Sequence, residues 1–151
     1  MPQSLVQIYV HIVFSTKERR PFLESKTLRD RLHRYLGGTC KGLNSPALTV
    51  GGVEDHVHAL CRLGSTVCVA TLIRDMKKES SKWIKDNGPG LRGFHWQRGY
   101  GAFSVSPSHV TALKAYIANQ EEHHKHETFK DEFRRLCKKY NVPMDERYVW
   151  D

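Results

Sequence analysis

The chain has 151 residues, which fits one compact domain of ordinary size, and it is read here as a single domain over 1–151. With 39% hydrophobic and 26% charged residues, its composition is that of a globule able to bury one modest core, which argues against disorder. Twenty-four Lys and Arg against 16 Asp and Glu give a net charge of +8, which points to polyanions, nucleic acid first; no basic amphipathic helix stands apart, so a membrane surface is disfavoured.

Leu5 to Phe14 alternates Ile8, Val10 and Ile12 with Gln7, Tyr9 and His11, the pattern of a half-buried first strand. Its apolar stretch is too short and has no basic lead, so neither a signal peptide nor a spanning helix is expected and the protein is placed in the cytoplasm. Ser25 is a candidate cap for a helix through about Gly42, with Leu28, Leu32, Tyr35 and Leu36 at helical spacing. Ala47–Val53 and His56–Leu63 read as an antiparallel hairpin turned at Glu54 and Asp55. Ser65 is the candidate cap of a second helix to about Asp86, striped by Val69, Leu72, Ile73, Met76 and Trp83, which Asn87-Gly88-Pro89-Gly90 ends.

A loop holding Phe94 and Trp96 leads to a fourth strand at about Gly101 to Val105, and Ser106-Pro107 opens a third helix running to about His124. A fourth helix, Thr128 to Tyr140, carries Phe129, Phe133, Leu136 and Cys137 on one side. The order predicts a ferredoxin-like α+β fold: a β-α-β-β-α-β antiparallel sheet with helices on one face, plus C-terminal helices. Cys40, Cys61, Cys68 and Cys137 form no CxxC pair and read as reduced thiols.

His56 and His58 are two apart on a strand, so both imidazoles point to one face and can approach one cation. Tyr116 and Gln120, at i and i+4 of the third helix, put a phenol and an amide side by side. Alone, each pair is more often structural. His123, His124 and His126 follow; each is a candidate proton shuttle or extra ligand, although a basic helix end that complements the helix dipole explains them more simply.

The residues together resemble the single-strand DNA transposases of small insertion sequences that carry a His-apolar-His motif, including the REP-associated tyrosine transposases. The resemblance rests on His56-Val57-His58 after a hairpin turn and on Tyr116-Ile117-Ala118-Asn119-Gln120. It extends to His11-Ile12-Val13-Phe14-Ser15-Thr16-Lys17 with Arg19-Arg20-Pro21, to Trp96-Gln97-Arg98-Gly99-Tyr100, and to Phe103-Ser104-Val105. It implies a metal held by His56, His58 and Gln120, with Tyr116 attacking a DNA phosphate to leave a 5′-phosphotyrosine that a freed 3′-hydroxyl later reverses. It also implies hairpin-bearing DNA ends as substrate, Mg²⁺ or Mn²⁺ as the ion, and a homodimer in which one subunit's tyrosine helix completes the other's histidine site. The alternative reading is a domesticated hairpin-DNA-binding protein or repressor without productive cleavage.

Chemistry accords with these roles. A free tyrosine has a pKa near 10, so only about one in a thousand is phenolate at pH 7, and a cation would offset that deficit. Two imidazoles and an amide oxygen leave room for phosphate oxygen and water, which suits Mg²⁺ or Mn²⁺, although imidazoles also accept zinc. Lys17, Arg19, Arg20, Lys77, Lys78, Lys82, Arg92 and Arg98 are candidates to track a DNA backbone. Phe94, His95, Trp96 and Tyr100 are either a platform for unpaired bases or part of the core.

Overall fold

The structure, a computed structural model, describes residues 2–151. In chain order it forms β1 (Ile8–Ser15), α1 (Lys26–Gly42), β2 (Ala47–Val53), β3 (His56–Leu63), α2 (Val69–Asn87) and β4 (Gly101–Val105). Three helices follow: α3 (Val110–Ala118), α4 (Gln120–His123) and α5 (Phe129–Lys139). The strands lie in the order β2-β3-β1-β4, every neighbouring pair antiparallel, which is the predicted ferredoxin-like α+β arrangement.

Strand alternation divides the buried residues between two faces. Val10, Ile12 and Phe14 of β1 and Val57, Ala59 and Cys61 of β3 meet Leu32, Leu36, Leu72, Ile73 and Met76 of α1 and α2 in the main core. The opposite face bears His11, Val13, His56, His58 and Leu60. It is covered by the helices after β4: Leu60 and Val105 pack on Leu113 and Ile117, while Val13 and Phe103 pack on Phe129, Phe133 and Leu136. His11, which the alternation assigns to the polar side of a half-buried strand, is therefore wholly buried.

Ser25 caps α1 by accepting a hydrogen bond from the Leu28 N–H at 3.2 Å, as predicted. α2 begins at Val69, later than the Ser65 cap implied, because Gly64 to Val67 close a turn through Val67 N–H to Gly64 O at 3.1 Å. The predicted third helix is interrupted at Asn119, whose φ of −100° and ψ of 19° leave the helical range and separate α3 from α4.

Gly51, paired with His58 across the β2–β3 ladder, lies against α3: a Cβ there would stand 2.6 Å from the Ile117 carbonyl oxygen. Gly51→Ala must push the backbone of the helix that carries Tyr116 away from the histidine strand. A loss of about 1–3 kcal/mol of stability is expected in urea unfolding. Unchanged stability would show that α3 is not held at this distance.

Phe94 and Trp96 belong to the main core, not to a base-stacking platform. Trp96 meets Phe14 and Phe94 edge to face at 4.8 Å each, and its indole N–H donates to Ser80 Oγ at 2.9 Å. This corrects the assignment of Trp96 to DNA; His95 and Tyr100 of the same stretch remain exposed. Cys40, Cys61 and Cys137 are buried thiols and Cys68 an exposed one. Among the described residues, no helix is long and apolar enough to cross a membrane.

Candidate active site

The turn at Glu54-Asp55 delivers His56 as the first residue of β3, and the strand's two-residue period sets His58 on the same face. Both are completely buried, with ring centroids 5.1 Å apart. From the other side, Gln120 at the start of α4 places Oε1 3.0 Å from His56 Nε2, and the Tyr116 ring centroid lies 5.9 Å from that of His58. The structure thus brings His56, His58, Tyr116 and Gln120 together within one chain.

At their centre is Glu132 of α5, which sequence reasoning missed. Its carboxylate is fully buried and its two oxygens are divided. Oε1 lies 3.1 Å from His56 Nε2, 3.0 Å from His58 Nε2 and 3.0 Å from His124 Nε2. Oε2 accepts the Tyr116 hydroxyl and, at 3.0 Å, the Gln120 amide. A signal was present: Phe129, Glu132, Phe133 and Leu136 stand at i, i+3, i+4 and i+7, so Glu132 interrupts an apolar stripe. His124, weighed as a possible ligand, is at this centre. His123 lies beside it, 2.6 Å from Glu127 and 5.3 Å, ring to ring, from Tyr116, whereas His126 is exposed.

Each inward-facing histidine is held by its other ring nitrogen. His56 Nδ1 lies 2.7 Å from Asp55 Oδ1, His58 Nδ1 2.9 Å from His11 Nε2, and His124 Nδ1 2.6 Å from the Glu127 carbonyl. Burial and the neighbouring His58 lower the His11 pKa to about 2, so this ring is neutral. Burial pushes His56 down, but its hydrogen bonds with Asp55 and Glu132 outweigh it and raise the pKa to about 9. His58 is lowered, chiefly by burial. For Glu132, burial favours the neutral acid, yet the charge of His58 and the hydrogen bonds with His124, His56 and His58 hold it ionised far below the usual carboxylate range.

The Tyr116 phenol also accepts from Arg135 Nη2 at 2.8 Å. Burial first, then the Glu132 charge, raise its pKa above that of free tyrosine, against the opposing pull of Arg135. Tyr116 is reached from solvent along a groove that Ala112, Arg135, Lys139 and Tyr140 also line.

The predicted DNA contacts divide. Lys17, Arg20, Lys78, Lys82, Arg92 and Arg98 are exposed, although Lys78 and Lys82 sit on α2, across the sheet from the histidines. Lys77 is a loop staple: Nζ donates to the carbonyls of Gln97, Arg98 and Gly99 at 2.6, 3.1 and 2.7 Å, which accounts for its whole donor capacity. Arg19 is likewise committed, donating to Gln97 Oε1 at 2.8 Å and lying over the Trp150 ring. The C-terminal residues dock on this region, Gln97 Nε2 donating to the backbone oxygens of Val149 and Asp151.

The fold of this chain superposes on those of two transposases in solved structures. A presumed transposase from Deinococcus radiodurans R1 superposes with a TM-score of 0.64 at 19% identity, over 80% of this chain and 95% of that one. The REP-associated tyrosine transposase bound to a REP hairpin superposes with a TM-score of 0.60 at 14% identity, over 82% and 73%. At these identities the likeness is one of fold. No curated protein matches the chain. The family described as "Transposase IS200 like" matches residues 4–120, and the chain belongs to it.

Proposed function

We propose that this protein cuts and rejoins single-stranded DNA at hairpin-bearing ends, with Tyr116 as the nucleophile and a 5′-phosphotyrosine intermediate. The observation that carries the reading is the convergence of Tyr116 and Gln120 on His56 and His58, in a chain whose family is one of transposases. The hairpin-bound structural neighbour supports the choice of substrate.

The donor set fits a divalent cation: His56, His58 and Gln120 direct two ring nitrogens and an amide oxygen toward one buried locus, and the far ring nitrogens are already fixed. A divalent ion bound there would supply Lewis acidity toward the phosphoryl oxygens. The remaining work falls to the chain. With its pKa raised, Tyr116 is a neutral phenol at pH 7 and gives up its proton only as it attacks. The Oη–H bond to Glu132 Oε2 orients the phenol for attack, while Arg135 on the same phenol oxygen offsets the developing negative charge. The Oη–P bond forms as the P–O3′ bond breaks, and the departing oxygen takes up a proton to become a 3′-hydroxyl. A 3′-hydroxyl attacking in reverse restores both tyrosine and phosphodiester, so rejoining needs no nucleoside triphosphate.

Arg135 and Lys139 beside Tyr116, with the exposed Arg92 and Arg98, supply positive charge for the strand. The protein would act as a homodimer, each site drawing on the set His56, His58, Tyr116 and Gln120.

The reading is tested by incubating the protein with divalent ion and a labelled single-stranded oligonucleotide that carries a hairpin. A covalent adduct that survives denaturation is expected, with less from the fully paired duplex. Metal-dependent cutting without any adduct would instead mark a nuclease that uses water.

A further inference from the structure

We propose that His124 and Glu132 join His56 and His58 as ligands, making a centre of three histidines and one carboxylate that takes a zinc-class ion in preference to magnesium. The inference rests on the reading of this site as a metal centre, and it deepens that reading by naming the ligands and the class of ion. Both added residues lie beyond the 4–120 segment that the family describes.

The geometry has three parts. First, His56, His58, His124 and Glu132 each present one ligand atom, all within 4.8 Å of one another, and all are buried or nearly so. The three Nε2 atoms stand 3.0 to 3.1 Å from Glu132 Oε1. In a tetrahedron with bonds of about 2.0–2.2 Å, ligand atoms stand about 3.4 Å apart, so a small outward movement of these groups admits the ion. Second, the Nδ1 atom of every histidine in the set is engaged, by Asp55, by His11 and by the Glu127 carbonyl. Outer partners of this kind fix the orientation of metal-binding imidazoles and leave Nε2 turned inward. Third, three buried imidazole nitrogens around a single carboxylate oxygen are more than a carboxylate needs, and too rich in nitrogen for magnesium, which favours six oxygen ligands.

Gln120 has a different place. Its amide N–H holds Glu132 Oε2, and Oε1 remains beside His56 as an outlying fifth donor. The same carboxylate therefore reaches Tyr116 through Oε2 and the three imidazoles through Oε1, so ligand binding in α5 and placement of the nucleophile depend on one side chain.

The test is metal binding to full-length protein freed of ions with a chelator, followed by calorimetry with Zn²⁺ and Mg²⁺ and by the visible absorption of added Co²⁺. One Zn²⁺ per chain is expected, bound at least about a hundredfold more tightly than Mg²⁺, with the intense absorption of tetrahedral Co²⁺. His124→Ala and Glu132→Gln should each weaken Zn²⁺ binding by about tenfold or more, and Gln120→Ala by less. Should Glu132→Gln fail to fold, His124→Ala, at the rim of the cluster, decides. Mg²⁺ binding as tightly as Zn²⁺, or wild-type Zn²⁺ affinity in His124→Ala, would overturn the proposal. Adduct formation alongside that result would leave the transposase reading standing; tight Zn²⁺ binding without an adduct on any hairpin DNA would uphold the site and remove that reading.

Discussion

Replacing Tyr116 with phenylalanine is expected to lower strand cleavage and adduct formation by about a thousandfold or more, to the background rate, while the protein stays folded and still binds hairpin DNA. The ring is what packs: its contacts with His58 and His123 survive the change. Only the hydroxyl is lost, and with it one hydrogen bond to Glu132 and one from Arg135. Glu132 keeps its contacts with three histidines and Gln120, so the stability loss should be about 1 kcal/mol. Single-turnover cleavage of a labelled hairpin oligonucleotide, beside a binding titration of the same DNA, measures both. A rate loss below about tenfold would assign the attack to water or to another side chain.

The second large effect concerns Glu132 and stability. In metal-free protein, Glu132→Ala is expected to cost about 3–5 kcal/mol, because it strips the carboxylate from a buried cluster that contains a protonated histidine. The pH dependence follows from the two groups. Glu132 is held below its ordinary value of 4.5, so its stabilising contribution is complete above that value and is lost as the pH falls below it. His56 is raised from 6.5 to about 9, so its contribution is complete below 6.5 and lost as the pH rises through about 9. Stability in urea should thus be greatest between these limits. Glu132→Gln should flatten the acid limb and weaken the alkaline one, because His56 then keeps only Asp55. A variant with the wild-type profile on both sides would show that this cluster does not govern the titration.

Much of this architecture was legible because its signals are local. β3 and β4 span the residues read for them from a short apolar run and from the loop that precedes Gly101, and Ser25 caps α1 where the side-chain pattern placed it. The histidine pair could be read from the two-residue period, and Tyr116 with Gln120 from helical spacing, even though Asn119 breaks the helix between them. What could not be read depends on tertiary closure. His11 looks like the wet side of a strand until α3 to α5 cover that face. Trp96 looks like a stacking residue among arginines until its neighbours prove to be Phe14 and Phe94. Lys77 looks like a surface cation until three carbonyls of a loop twenty residues away enclose its ammonium group. Glu132 is the largest such case: its place in an apolar stripe sets it apart in the sequence, but the histidines it meets are known only when α5 folds back over them.

The most direct measurement is to digest the covalent protein–DNA adduct with trypsin and nuclease and to locate the residual nucleotide by mass spectrometry. The expected result is a nucleotide mass on the peptide Ala115 to Lys125, attached to Tyr116 through its 5′ phosphate. A nucleotide on any other residue, the exposed Tyr100 for example, would contradict the assignment of the nucleophile and with it the role of the buried cluster.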